Sequence, residues 1–414
     1  MRSLCDWFAQ KRITCLLGAG ATISIGGPTT QQITVAARAK TQHVPAAGAW
    51  VDVQFIDEAA SRLDEFLAPA HCHFEDIFDA LESLQSFYAA WQPATVEEFK
   101  PRLAAFVQAA DSHWFDLMRL IAAKQSLLEA IAEQVEQSIA AFQPSGSHSW
   151  FRAFWLKALA AAAWDIATLN YDNLLEQISP DLEDGFEPSP TWSRFNANRL
   201  LGTKRSRILH LHGSIHYGYM PLAKAVQFID DFEDLCKYAS PSEARQSWFG
   251  RSSHTAQSHE EAIIGPLITG LRKTDKLTAH PYDDYQALFR RSIYKNPGLL
   301  IAGYSFGDLY LNSMMTRMLA IHGFKRRIVI VTWFPRSPDE WHFDPAVLTP
   351  YCGWPGMDML SAFGAFMNSR TPLGTSHRFQ DKLLSNDGCC RIYLGGTQQA
   401  FQNYGDEILA FLLS

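Results

Sequence analysis

The sequence contains no C-x-x-C pair. Its seven cysteines stand at 5, 15, 72, 236, 352, 389 and 390, with the last two adjacent. That spacing spells neither a zinc ribbon nor a disulfide framework, so reduced thiols are the plain reading. Also missing is any apolar run of the roughly 18 residues that cross a bilayer. Asp6, Lys11 and Arg12 interrupt the short amphipathic N-terminal stretch, so neither a membrane span nor a signal peptide is read, and a cytoplasmic protein is expected. There is no basic excess either: 36 Lys and Arg against 43 Asp and Glu leave a net charge of −7. Direct, sequence-independent nucleic-acid binding lives on clustered cations and is therefore not expected. No internal repeat and no low-complexity tract is visible.

What is present is an ordinary globular composition. With 47% apolar and 19% charged residues over 414 positions, the chain can build two domains, or one with a large insertion. The charge is uneven. Residues 50–140 carry 16 Asp and Glu against 5 Lys and Arg, a local net of −11, which leaves the rest near +4, a sign that suits a pocket for an anionic ligand.

Periodicity divides the chain in the same way. The run Ile13–Leu17 reads as a buried strand feeding the turn Gly18-Ala19-Gly20-Ala21-Thr22, the opening of a nucleotide-binding βα unit. A second small-residue loop ends in Pro28, and Thr30 is placed to cap a helix over 31–40. The dehydrogenase fingerprint fails, because an acid is due about 20 residues on and the chain offers Arg38 and Lys40.

Residues 41–150 turn to a helical period. Phe74, Ile77, Phe78, Leu81 and Leu84 make one apolar stripe, and Glu75, Asp76, Asp79 and Glu82 occupy faces read as solvated. His71-Cys72-His73 lies there too, but adjacent ligands on a helix diverge, which favours a surface or packing role. Strands follow at Asp165–Leu169, Ile208–His212, Gly298–Ala302, Arg327–Thr332 and Arg391–Leu394, with helices at 150–162, 282–294, 309–322 and 397–412. Residues 180–207 read as loop, 217–260 as mobile loops with short helices, and Lys273 and Lys276 as exposed in a basic loop. The expected fold is α/β, a Rossmann-like, mostly parallel sheet formed by 1–40 and 151–414, with 41–150 as a large all-helical insertion.

The chemistry gathers at strand ends. Ile208-Leu209-His210-Leu211-His212 alternates as a half-buried strand does, and Gly213 leaves His212 displayed at its carboxyl end, where ligands bind in open α/β sheets. Taken alone, such a histidine reads equally as one hydrogen-bonded inside the core. Asn170-Tyr171-Asp172 closes another strand, and Gly303-Tyr304-Ser305 a third. Gly303–Gly307 also fits the G-x-S-x-G nucleophile elbow, with Asp339 or Asp344 and then His377 in order behind it. That gives an alternative, an α/β-hydrolase-type serine esterase at Ser305, although bulky Phe306 sits poorly at a tight helix start.

Taken together the four strand ends resemble the sirtuin family and its prokaryotic sirtuin-like NAD hydrolases. Gly18, Ala19, Gly20, Thr22, Gly26 and Pro28 fall on the family's opening glycine motif and its Gly-x-Pro step. Asn170, Asp172 and Leu174 fall on its Asn-x-Asp-x-Leu segment, His212-Gly213 on its His-Gly, and Gly303 and Ser305 on its later Gly-x-Ser. Two departures stand out: Thr29-Thr30-Gln31 replaces the deacetylases' Asp-Phe-Arg, and their paired C-x-x-C zinc module is missing.

The resemblance therefore implies NAD as substrate without zinc or any other metal, and cleavage to nicotinamide and ADP-ribose rather than deacetylation. It implies Asn170, His212 and Asp172 as catalytic residues. NAD binding falls to Gly18, Ala19, Gly20, Thr22, Pro28, Gly303 and Ser305, with Asn170 and Asp172 shared. It further implies an antiphage effector that depletes NAD by abortive infection. As a homo-oligomer it would answer to a partner such as a hexameric HerA-class ATPase or, alternatively, an Argonaute-type protein. A non-catalytic subunit that senses NAD or ADP-ribose is the remaining alternative. Lys273 and Lys276 are candidates to approach phosphate, Asp308 and Asp172 to cap helices, and His210 and His216 to serve structure.

Overall fold

Arg12–Leu17 (β1) is the central strand of the sheet that organises the chain, in a computed structural model that describes residues 11–46, 48–86, 113–114, 116–221, 235–248, 265–270, 273–277, 280–333, 378–379, 382–385 and 387–414. In chain order there follow α1 (Thr30–Arg38), the hairpin β2 (Gln42–Ala46) and β3 (Ala49–Val53), α2 (Phe55–Leu67), α3 (Phe74–Ser86) and α4 (Leu117–Ala141). Next come α5 (Ser149–Ala161), β4 (Ala163–Thr168), α6 (Leu174–Ile178), β5 (Trp192–Arg194), α7 (Ala197–Gly202), β6 (Arg207–His210), β7 (Tyr217–Tyr219), β8 (Leu235–Tyr238) and α8 (Pro241–Gln246). The last third holds α9 (Lys273–Lys276), α10 (Tyr282–Lys295), β9 (Gly298–Ala302), α11 (Leu309–Met315), α12 (Met318–His322), β10 (Arg327–Val331), β11 (Arg378–Phe379), β12 (Lys382–Leu384), β13 (Cys390–Tyr393) and α13 (Gly396–Leu413).

The main sheet runs β11-β12-β13-β10-β9-β1-β4-β6. The six strands from β13 to β6 are parallel, and β12 and β11 extend that edge antiparallel. Parallel strands need helices on both faces, and side chains alternate accordingly. Leu16, Ala167, Leu209, Leu299 and Ile301 face one core, where α10 contributes Tyr285, Phe289 and Ile293. Cys15, Leu17, Ile166, Ile208 and Leu300 face the other, against Trp155 of α5 and Phe401 of α13. The α/β, mostly parallel architecture read from the sequence is thus the one observed.

This burial corrects one detail. Ile208, Leu209, His210 and Leu211 are each no more than 1% exposed. The stretch is covered on both sides rather than half-buried, and its strand ends at His210, two residues before His212.

The insertion packs its own core on α1: Ile33 and Ala37 meet Phe55, Ile77, Phe78, Leu120, Leu127 and Ile131, and Ile215, Trp248 and Leu267 close it from the sheet side. It is not all helical, because Gln42–Ala46 and Ala49–Val53 pair antiparallel around Gly48 (φ 84°). The buried–exposed alternation of Gln42-His43-Val44-Pro45 carried that hairpin, but five-residue strands are too short to stand out in a helical background. The cap of α1 also shifts by one: Thr29, in a reciprocal capping box with Gln32, starts the helix in place of Thr30, an arrangement that contributes about 1 kcal/mol.

Elsewhere the periodicity was equally too short to read. Within 180–260, β5, β8 and β7 form a separate three-stranded sheet, although the latter part was read as loop and short helix. Arg12 and Arg207 converge on buried Asp165, which also accepts a hydrogen bond from Ser292, so an acid inside β4 is neutralised by its surroundings.

Candidate functional site

The carboxyl ends of β1 and β9 touch each other first. Gly303 holds φ 64°, a left-handed value open to glycine, and a Cβ there would lie 1.9 Å from the amide nitrogen of Ala21. A Cβ on Gly18 would in turn lie 2.6 Å from the carbonyl oxygen of Gly303. The Gly20 amide donates to that carbonyl at 2.9 Å, the Ala21 amide to Gly18 and the Thr22 amide to Ala19. The glycines are therefore demanded by the packing of two strand ends, and the amides of Gly18, Gly20 and Thr22 already have backbone partners. Ala19 stands exposed at the tip of this turn, and Ser305 is exposed at the neighbouring strand end. Pro28 lies partly buried at the entry to α1.

The end of β4 supplies Asn170 and Asp172. Asn170 is 9% exposed. Its backbone amide donates to the Thr168 hydroxyl at 3.0 Å, and its side-chain amide donates to the Thr22 hydroxyl at 3.4 Å. One candidate residue thereby binds another across two strand ends. Asp172 accepts from the amide of Leu174 at 3.2 Å, one residue before the Asn173 N-cap of α6 rather than as the cap itself. Desolvation, aided by the charge of Glu176, pushes its carboxyl up to about 6.

The end of β6 supplies His212, 7% exposed. Gly213 takes φ 95°, and a Cβ would meet the carbonyl oxygen of Pro266 at 2.1 Å, so only glycine lets 265–270 lie alongside. That segment bonds back through the amide of Ile268 to the carbonyl of His212 at 2.8 Å. Tyr171 donates its hydroxyl to the Ile268 carbonyl, and Ser214 its hydroxyl to Tyr171, which ties the β4 and β6 ends into one rim.

Nε2 of His212 lies 3.5 Å from Oδ2 of Asp308. Asp308 caps α11 as expected, its Oδ1 accepting from the amides of Tyr310 and Leu311, but its other oxygen is turned to the histidine. Burial lowers the proton affinity of His212, Asp308 opposes that, and the charge of Lys273 adds to it. Asp308 itself, although burial alone raises it, is held below the ordinary carboxylate value by His212.

The insertion reaches this site as well. Glu75 of α3 pairs with Lys273 at 3.3 Å, and Lys276 pairs with Glu82 at 2.6 Å while donating to the carbonyl of Thr269. The face of α3 read as solvated instead packs on 265–270 and 273–276. Lys276 is buried rather than exposed in a loop, because the sheet-side segment folds onto that face. Burial, together with Glu75 and Glu82, pushes Asp79 up to about 7.

His210 and His216 serve structure. His210 meets Glu176 at 2.8 Å, and His216 bonds the Tyr238 carbonyl and the Asn173 side-chain amide. Burial alone raises Glu176, but the charge of His210 and the hydrogen bond from it outweigh that and hold the carboxyl at about 2. The esterase alternative gains nothing. Phe306, after Ser305, is the one non-glycine residue with positive φ among the described residues, whereas an elbow strains its nucleophile. Ser305 bonds no histidine among the described residues, and Asp339, Asp344 and His377 lie outside them. Within 64–76, His71 is exposed and Cys72 is buried against the carbonyl of Ala60. The cluster His280, Asp283 and Asp284 has ligand atoms close enough for a metal, but it is largely exposed.

Asp308 and Glu75 escaped the sequence reading. A helix-capping aspartate looks the same whether or not its second oxygen has a use, and no spacing links residue 75 to residue 212.

A search of characterised proteins returns no match. Among solved structures the chain is similar to a Sir2 homologue crystallised with NAD, at 13% identity and a TM-score of 0.38, covering 98% of this chain and 90% of that one. It is also similar to a structure from work on the mechanism and regulation of Sir2 enzymes, at 11% identity and a TM-score of 0.27, covering 78% and 81%. Residues 165–345, which span Asn170, Asp172, His212, Ser305 and Asp308, match the family model of a SIR2-like domain.

Proposed function

We propose that the protein hydrolyses NAD at the nicotinamide–ribose bond. The observation that carries this reading is the convergence of the Gly18–Thr22 turn, Asn170, Asp172, His212 and Ser305 at the carboxyl ends of β1, β4, β6 and β9, with Asn170 bonded to Thr22. A SIR2-like match over residues 165–345, which include Asn170, Asp172, His212 and Ser305 but not the Gly18–Thr22 turn, supports it.

In the reaction an oxygen of water bonds to the anomeric carbon as the bond to the nicotinamide nitrogen breaks. The electron pair of that bond stays on the nicotinamide ring and neutralises its charge. One water proton passes to His212, directly or through a ribose hydroxyl, and then to solvent. Burial keeps His212 neutral at pH 7 and so able to accept a proton. Asn170 positions the water or a ribose hydroxyl. Asp172 binds the nicotinamide amide or, when ionised, steadies the positive ribose. Ala19 and the Thr22 and Ser305 hydroxyls would contact phosphate and ribose.

The same reading extends to an antiphage effector acting in the cytoplasm by NAD depletion, assembled as a homo-oligomer. Its regulator would be a HerA-class ATPase or, second, an Argonaute-type protein. Among the described residues no helix is long and apolar enough to cross a membrane. The deciding experiment incubates the protein with NAD, with and without each partner, and measures nicotinamide. Release that disappears in His212→Ala supports the reading. NAD binding with no release under any condition overturns it in favour of a sensing subunit.

A further inference from the structure

Asp308 has two oxygens with different duties. Oδ1 is fixed by two backbone amides, at 2.9 Å from Tyr310 and 3.2 Å from Leu311. The carboxylate cannot rotate without giving up the cap of α11. Its backbone is pinned too, since the Asp308 amide donates to the Tyr304 hydroxyl, which in turn donates to the Asp308 carbonyl and to Asn312, each at 3.0 Å. Oδ2 is thereby aimed at Nε2 of His212, 3.5 Å away, and catalytic hydrogen bonds of this length commonly tighten once a substrate is held. Nδ1 of His212 bonds no described residue. An acidic oxygen accepts only from a protonated nitrogen, so this geometry selects one of the two neutral forms of the ring.

We propose that Asp308 is a positioning residue that holds His212 with its proton on Nε2, leaving Nδ1 as the nitrogen that takes the proton from water. The proposal rests on the NAD-cleavage reading for its chemistry, but the tautomer it names exists independently of turnover. As Nδ1 is protonated the ring becomes a cation, and the carboxylate 3.5 Å away stabilises it without accepting the proton itself. The other charged groups facing His212 are Lys273, which disfavours that cation, and Glu75 of the insertion helix, which favours it; Lys273 also faces Asp308. Lys273 and Glu75 pair with each other 3.3 Å apart, and Asp308 is the charged group that pairs directly with His212.

The test uses Asp308→Asn, which keeps a helix-capping side chain and removes the charge. In histidine-selective nitrogen-15 spectra, with the His212 ring assigned by its loss in His212→Gln, the wild type is expected to show the Nε2-protonated form near pH 8. Asp308→Asn is expected to lose that preference. Nicotinamide release is expected to fall about 100-fold or more in kcat, with KM within about threefold and an unchanged melting temperature, as when the aspartate of a histidine–aspartate pair is made neutral elsewhere. The acid limb of the rate profile should move to lower pH. A wild-type ring protonated on Nδ1 overturns the proposal, and so does an Asp308→Asn protein whose ring form and rate match the wild type. A wild type with the Nε2-protonated ring but no nicotinamide release supports the positioning claim and overturns the NAD-cleavage reading instead.

Discussion

Lys276 and Glu82 lie 2.6 Å apart with side chains 2% and 9% exposed, and they join the insertion helix α3 to the segment that hydrogen-bonds the backbone of His212. The pair sits beside Phe78, whose ring lies 5.0 Å from the lysine ammonium. Removing one charge leaves the other in a site built to exclude water. Lys276→Met is therefore expected to destabilise the protein by about 3 kcal/mol, read from urea unfolding. Lys276→Met combined with Glu82→Leu should recover most of that loss. A single variant as stable as the wild type would show that the insertion does not depend on this contact.

Activity should depend on His212 and Asn170 far more than stability does. Each replaced by Ala is expected to lower nicotinamide release by about 100-fold or more, with melting temperature changed by only a few degrees. Because burial lowers the proton affinity of His212, its base form persists below the ordinary histidine value. The acid limb of kcat for the wild type should accordingly fall under pH 6.5, measured by rates across pH 5 to 8.

Asp172 should trade stability for function. Its carboxyl is pushed up to about 6 in the folded protein, above the unfolded value of about 3.9. The favourable contribution of the protonated form is complete below pH about 4 and is lost as pH rises through 6. At pH 7.5 its charge is held at a cost, so Asp172→Asn is expected to stabilise by about 1–2 kcal/mol there, discounted for partial exposure. At pH 4 the variant should be neutral. Thermal melts at the two values read this directly, and loss of nicotinamide release in the stabilised variant would place the strain at the site.

Gly303→Ala should break the site from beneath. The added Cβ would fall 1.9 Å from the Ala21 nitrogen at a φ of 64°, forcing the β1 and β9 ends apart. A loss of about 3 kcal/mol or more is expected, together with weakened NAD binding by calorimetry. Gly202→Ala, where nothing lies within 4 Å, is the neutral control.

The sequence by itself determined the parallel sheet, because strands buried on both faces must be almost wholly apolar, and Ile13–Leu17 (apart from Thr14) and Gly298–Ala302 are. It also determined which strand ends carry polar residues, since Asn170, His212 and Ser305 each follow an apolar run and need no partner to be noticed. The insertion's stripe of Phe74, Ile77, Phe78 and Leu81 was legible for the same reason: a period of 3.6 needs only one helix. The hairpin at 42–53 and the small β5-β8-β7 sheet were not, because three to five residues hold too few periods.

Tertiary structure alone decided what lies across from what. Asp308 reads as a cap from sequence, and only the placement of β9 and β6 in one sheet turns its second oxygen toward His212. Glu75 and Glu82 read as solvated, and only the fold of 273–276 onto α3 gives them lysines. The glycines of the first turn were legible as necessary but for another reason, since what they admit is the backbone of Gly303. Periodicity is local and survives in one dimension. Charge pairing and close approach depend on three, and in this chain they set the surroundings of the histidine.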